Sequence, residues 1–129
     1  MAHTVLIVED QPEMSDTLKA WLETKGFEVK VAGTGKEGLA ITRKEKPDII
    51  ILDVLMPHMS GIEVLLKLRR EPPIAKWQPV IIVSAESDVK HVQQGLEAKA
   101  DHYLIKPCRM EDILKAIRLM VSLIPQRNN

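Results

Sequence analysis

Asp53 closes a continuous apolar run, Ile49 to Leu52, and Met56-Pro57 follows, so a carboxylate stands where a buried strand gives way to a turn. Glu9 and Asp10 close the first apolar run, Val5 to Val8. If these runs are neighbouring parallel strands, three carboxylates meet at one edge of the sheet. Such a cluster is costly without a positive charge inside it, either a divalent cation or a lysine. Lys106 follows another short apolar run, Tyr103 to Ile105, and Ser84 follows Val80 to Val83.

These residue types suit phosphoryl chemistry. Carboxylates hold a hard divalent ion, and Mg²⁺ fits because it accepts a few of them and completes its octahedron with water and phosphate oxygens. A carboxylate that keeps one oxygen free can attack phosphorus, because the metal and an ammonium neutralise the incoming charge. Asp53 is then the nucleophile, and Glu9 and Asp10 position the metal. Lys106 makes a charge-assisted contact to the phosphoryl group, and the Ser84 hydroxyl donates to another of its oxygens.

The elements that must position these groups alternate strand and helix. Short uninterrupted β-branched runs read as strands covered on both faces. Pro12 to Lys25 carries Met14, Leu18, Trp21 and Leu22 at helical spacing, with Gly26 as the stop. Phe27, Val29 and Val31 alternate with charged residues, the pattern of an edge strand. Thr34 to Glu37 forms a capping box for a helix running to about Lys46, with Leu39, Ala40 and Ile41 inside. Ser60 to Glu63 opens another, with Ile62, Leu65, Leu66 and Leu68 toward the sheet and Lys67, Arg69 and Arg70 outside.

Ser87 to about Ala98 is a helix with a thin apolar stripe of Val89, Val92 and Leu96. His102 to Ile105 is the fifth strand. A strongly amphipathic last helix ends in a polar tail from Pro125. Five βα units predict a parallel sheet with helices on both faces, whose ligands bind at the C-terminal strand ends.

The chain has 129 residues, the size of one domain. Eighteen basic and eighteen acidic side chains balance, which leaves little electrostatic drive toward nucleic acid or membrane. Cys108 is the single cysteine, so an internal disulfide or a multi-thiolate site is excluded. With no signal-like N-terminus and no run long enough to span a bilayer, a cytoplasmic protein is expected.

Gly33 to Gly38 matches the dinucleotide-binding pattern, but it follows the second strand, leaves little room for a substrate domain and gives Glu9, Asp10 and Lys106 no role. Its Gly-Lys pair is followed by Glu37, so it is no nucleotide phosphate loop either. The four histidines are scattered, and Trp21 and Trp77 read as packing residues.

Taken together, Glu9-Asp10, Asp53-Val54-Leu55-Met56-Pro57 with Gly61, Ser84-Ala85 and Lys106-Pro107 closely resemble the receiver domain of two-component response regulators, over about residues 4 to 123. The resemblance implies a CheY-like, flavodoxin-like three-layer (βα)5 sandwich with strand order 2-1-3-4-5, the receiver domain spanning 1–124 and 125–129 a tail or the start of a linker. It implies phosphotransfer from a histidine kinase's phosphohistidine, or from a phosphotransfer protein, onto Asp53. Metal ligands by resemblance are Asp10, Asp53 and the backbone carbonyl of Leu55, with Glu9 acting through water or directly.

The domain would be a phosphoacceptor assisting its own phosphorylation and dephosphorylation, not an enzyme acting on an external substrate. Its switch would pair Ser84 with Tyr103 and alter the face made by the fourth helix, fifth strand and fifth helix. That face would bind a downstream protein, a fused output domain or a second copy. Three departures stand out. Glu9 replaces the commoner Asp, Cys108 stands where Phe often follows Lys-Pro, and Leu55 offers no polar side chain to guide an attacking water. The last implies a slowly decaying phosphoryl group. A rival class is a degenerate receiver serving only as an interaction module.

Overall fold

Four-residue runs such as Ile49–Leu52 have no polar side chain to spare for solvent, so they must lie between two layers of helix, and they do. The computed structural model describes residues 3–53, 59–70, 78–85 and 89–127. Its elements alternate as β1 (Thr4–Val8), α1 (Pro12–Thr24), β2 (Glu28–Ala32), α2 (Gly35–Glu45), β3 (Ile49–Leu52), α3 (Gly61–Arg70), β4 (Val80–Ser84), α4 (Val89–Glu97), β5 (His102–Ile105) and α5 (Met110–Arg127). All strands pair in parallel, in the order β2-β1-β3-β4-β5. The implied order is thereby confirmed, with the alternating β2 at the edge and the all-apolar β3 at the centre.

The two sheet faces carry separate cores. Val5, Ile7, Ile49, Ile51, Ile81 and Val83 pack with Leu22 of α1 and with Ile113, Leu114 and Ile117 of α5. Leu6, Val8, Ile50, Leu52, Val80 and Ile82 pack with Leu39 of α2, with Val64, Leu65 and Leu68 of α3, and with Ala98 beyond α4. Adjacent strand residues therefore serve opposite layers, as the two-residue period requires.

Helix starts follow the sequence closely. The Thr34 hydroxyl accepts from the Glu37 amide at 3.1 Å, and Glu37 reaches back to the Gly33 amide at 3.3 Å. Ser60 caps α3 in the same way, accepting from the Glu63 amide at 3.2 Å. Gly26, at φ 93°, ends α1 in a conformation that favours glycine. Two of the dinucleotide-like glycines have a packing explanation: a Cβ on Gly35 would meet Val64 at 2.6 Å, and one on Gly38 would meet Val8 at 2.9 Å. Only bare backbone lets α2 approach this closely.

Several inward assignments require correction. Met14, Ala40, Leu66 and Leu96 are exposed, while Ser15, Thr42, Val64 and Gly95 are buried in their helices. The short polar residues return their hydroxyls to their own helix, Ser15 to the Pro12 carbonyl and Thr42 to the Gly38 carbonyl. That satisfies them without a partner across the core. Helix α5 continues through Pro125 to Arg127, because a proline in a last turn removes only one amide donor.

Arg69 is the largest departure. Expected outside, its guanidinium donates to the Gln78 carbonyl at 2.9 Å, to the Lys99 carbonyl at 3.0 Å and to Asp101 at 3.0 Å. Asp101 also accepts from the Val80 amide at 2.8 Å. One side chain thus ties the end of α3 to the start of β4 and to the turn between α4 and β5. Arg69→Ala would leave a half-buried carboxylate and two carbonyls short of donors, and a urea melt should register a loss of about 2–4 kcal/mol.

Candidate functional site

The C-terminal ends of β1, β3 and β5 are each tied by the backbone to a neighbouring strand. The Glu9 amide donates to the Ala32 carbonyl at 3.0 Å, the Asp53 amide to the Val8 carbonyl at 3.1 Å, and the Lys106 amide to the Ser84 carbonyl at 2.8 Å. Each residue sits one step past its own strand, where the ladder still fixes the main chain and the side chain leaves the packed layer. Sequence position alone therefore brings the acids to one edge, once β1 and β3 are neighbours.

Glu9, Asp10 and Asp53 offer oxygens that all lie within 4.8 Å of one another. Glu9 and Asp53 are buried and Asp10 is half-buried. Lys106 spans the pair, with Nζ 3.7 Å from Glu9 Oε1 and 3.6 Å from Asp53 Oδ2. At those separations it compensates charge without a short hydrogen bond to either. One ammonium against three carboxylates leaves the cluster short of positive charge.

Glu9 carries the consequence. Burial pushes its carboxyl up to about 8, helped by the hydrogen bond and the negative charge of Asp53, while Lys106 pulls the other way. Its Oε1 is buried with no hydrogen-bond partner among the described residues. A deeply placed carboxylate oxygen without a donor, next to two other acids, fits the donor set of a hard divalent cation.

Ser84 ends β4 fully buried. By strand alternation it shares a sheet face with Ile82 and Tyr103, the face covered by α4, and Tyr103 pairs with Ile82 in register. A Cβ on Gly95 of α4 would lie 3.0 Å from both Ile82 Cδ1 and Tyr103 Cδ2. The Tyr103 ring is thus laid against bare helix backbone. The sequence signal for that contact was a glycine inside an already weak helix.

On the opposite face the acids open into a cavity of about 760 Å³ between α1 and α5, floored by Ile7, Ile51 and Val83. Of the site residues read from sequence, Glu9, Asp10, Asp53 and Lys106 are brought together, with Ser84 at the adjoining strand end. Leu55 lies outside the described residues, as do Met56 and Trp77. The cavity and the clasp made by Arg69 were not legible in the sequence.

Residues 5–118 match the family model described as the response regulator receiver domain. Among curated proteins, the chain is 36% identical over 118 residues to the probable transcriptional regulatory protein TcrX of Mycobacterium tuberculosis, covering 92% of this chain and 49% of that protein. It is 33% identical over 124 residues to the response regulator ArlR of Staphylococcus saprophyticus, covering 96% and 54%. The chain therefore spans about half the length of these relatives.

Among solved structures, a CheY-like response regulator receiver domain protein from Methanospirillum hungatei superposes with a TM-score of 0.89 at 30% identity, over 98% of each chain. The chemotaxis protein CheY4 of Vibrio cholerae does so at 0.86 and 30% identity, over 93% of this chain and 99% of that one. With a parallel five-stranded sheet in the order 2-1-3-4-5 and three acids at its C-terminal edge, the chain belongs to the family of response regulator receiver domains.

Proposed function

We propose that this domain, residues 1–124, is a phosphorylation-driven switch whose acceptor is Asp53. The observation that carries the reading is the Lys106 ammonium spanning two buried carboxylates at 3.6 and 3.7 Å, beside a third acid. An Asp53 carboxylate oxygen attacks the phosphorus of a kinase's or phosphotransfer protein's phosphohistidine. The O–P bond forms as the N–P bond breaks, and the electron pair leaves on the imidazole nitrogen.

Glu9, Asp10 and Asp53, with the Leu55 carbonyl, would hold Mg²⁺, and the acid cluster matches the magnesium-coordinating pocket of receiver domains. When bound, the ion supplies charge neutralisation at the phosphoryl oxygens. Lys106 contributes a fixed ammonium on the same side, and Ser84 a hydroxyl. The domain assists its own phosphorylation and dephosphorylation; it turns over no external substrate.

The readout runs through the other sheet face. A phosphoryl oxygen draws the Ser84 hydroxyl toward Asp53, and the Tyr103 ring follows into the vacated space, releasing its contact with Gly95 and shifting α4. Leu96, Ile105 and Leu119 are exposed, one on each of α4, β5 and α5. That distribution supports this face as the binding surface for a downstream protein, a fused output domain or a second copy of the chain. Among the described residues no helix is long and apolar enough to cross a membrane, and a cytoplasmic setting suits a kinase-fed switch.

Beryllofluoride should bind only with Mg²⁺ present and should change the environment of Tyr103 in aromatic NMR spectra, while Asp53→Ala abolishes labelling by a small phosphodonor. No uptake would favour an inert interaction module, and efficient labelling of Asp53→Ala would remove the acceptor assignment.

Glu9 also sets a pH dependence. Its folded value of about 8 lies above the ordinary 4.5, so the native state binds more protons between those values. Stability of the metal-free protein should fall as pH rises through that window. Thermal melts should show a Tm lower at pH 8 than at pH 6, with Mg²⁺ raising Tm more at pH 8. Finally, Leu55→Asn should accelerate decay of the acyl phosphate, and an unchanged dephosphorylation rate would refute the slow-decay reading.

A further inference from the structure

The cavity between α1 and α5 is not used by the phosphoryl chemistry, yet it opens directly onto it. Leu18 from α1, Met110 and Ile113 from α5, and Ile51 and Val83 from the sheet make its walls apolar. Its polar end is formed by Glu9, Asp53 and Lys106, with Glu13 exposed on α1. At about 760 Å³ it has the size and the largely apolar character of a small-molecule site. Cys108 contributes a small side chain to its wall.

We propose that this cavity binds an amphiphilic small-molecule cation, with its apolar body between α1 and α5 and its ammonium among Glu9, Glu13 and Asp53. Two independent features select that chemistry. The walls remove apolar area from water, which drives a hydrocarbon body in and gives a charged one no partner. At the polar end, three carboxylates face one ammonium, and Glu9 Oε1 is buried without a hydrogen-bond donor. An alkylammonium supplies the missing donor.

The ammonium and a divalent ion answer the same carboxylates, so they exclude one another. The ligand would hold the domain in a metal-free form unable to accept phosphate. That competition rests on the magnesium reading above, whereas binding itself does not.

The test is titration of the full chain with n-octylammonium, n-octanol and n-octanoate below their micellar concentrations, followed by NMR at Leu18 and Ile113. Octylammonium should bind about tenfold or more tighter than the alcohol or the carboxylate. Saturating Mg²⁺ should weaken it. Cys108→Phe, which fills the wall, and Met14→Lys, which sets a like charge at the exposed rim, should each weaken octylammonium by about tenfold while keeping Mg²⁺-dependent beryllofluoride uptake.

Equal binding of octanol, or octylammonium affinity unchanged in both variants, would overturn the proposal. So would indifference to Mg²⁺ in a protein that takes up Mg²⁺ and beryllofluoride. Failure of beryllofluoride uptake by the unaltered chain would instead strike the switch reading, and the relative affinities of the three probes would still decide whether the cavity takes a cation.

Discussion

The meeting of buried carboxylates from β1 and β3 under a single ammonium from the end of β5 is the constraint on which the molecule turns. Two acids held this close in a shielded place cannot both be charged without compensation, and Lys106 at 3.6 and 3.7 Å supplies only part of it. Glu9 absorbs the remainder by holding its proton to about pH 8. The fold thus stores an unmet demand for positive charge at the point where a phosphoryl group and its metal would arrive. Such a site gains function from the same imbalance that costs the metal-free protein stability.

Backbone pairing makes that imbalance permanent. Glu9, Asp53 and Lys106 each donate a main-chain bond one step beyond their strands, so their main chains cannot separate without unzipping the sheet. Away from this edge, Arg69 binds together the chain segments entering β4 and β5. The rigid frame contrasts with α4, whose buried face near Tyr103 is a glycine. A helix packed through backbone has little apolar area to lose when a neighbouring ring moves.

The two faces of the sheet divide the labour around Asp53. One face carries Ser84 and Tyr103 beneath α4, suited to passing a local change to a surface with exposed Leu96, Ile105 and Leu119. The other carries the apolar cavity between α1 and α5. Because strand residues alternate, a carboxylate at a strand end can be felt on both sides, and events on either side can reach it.

Spacing along the chain was enough to order the elements, to tell edge strand from central strand, to locate the helix caps at Thr34 and Ser60 and to put the acids at strand ends, because these depend on local pattern and on the two-residue and 3.6-residue periods. Helix faces were legible only where the apolar stripe was strong. Met14, Ala40, Leu66 and Leu96 misled because an apolar side chain can lie at a rim, while Ser15 and Thr42 can be buried by bonding their own helix. Only folding in three dimensions turns Arg69 inward, makes packing surfaces of Gly35, Gly38 and Gly95, and sets a cavity beside the acids. Each of these depends on which distant segment lies opposite, and no periodicity along one chain encodes the separation between two elements that meet only after folding.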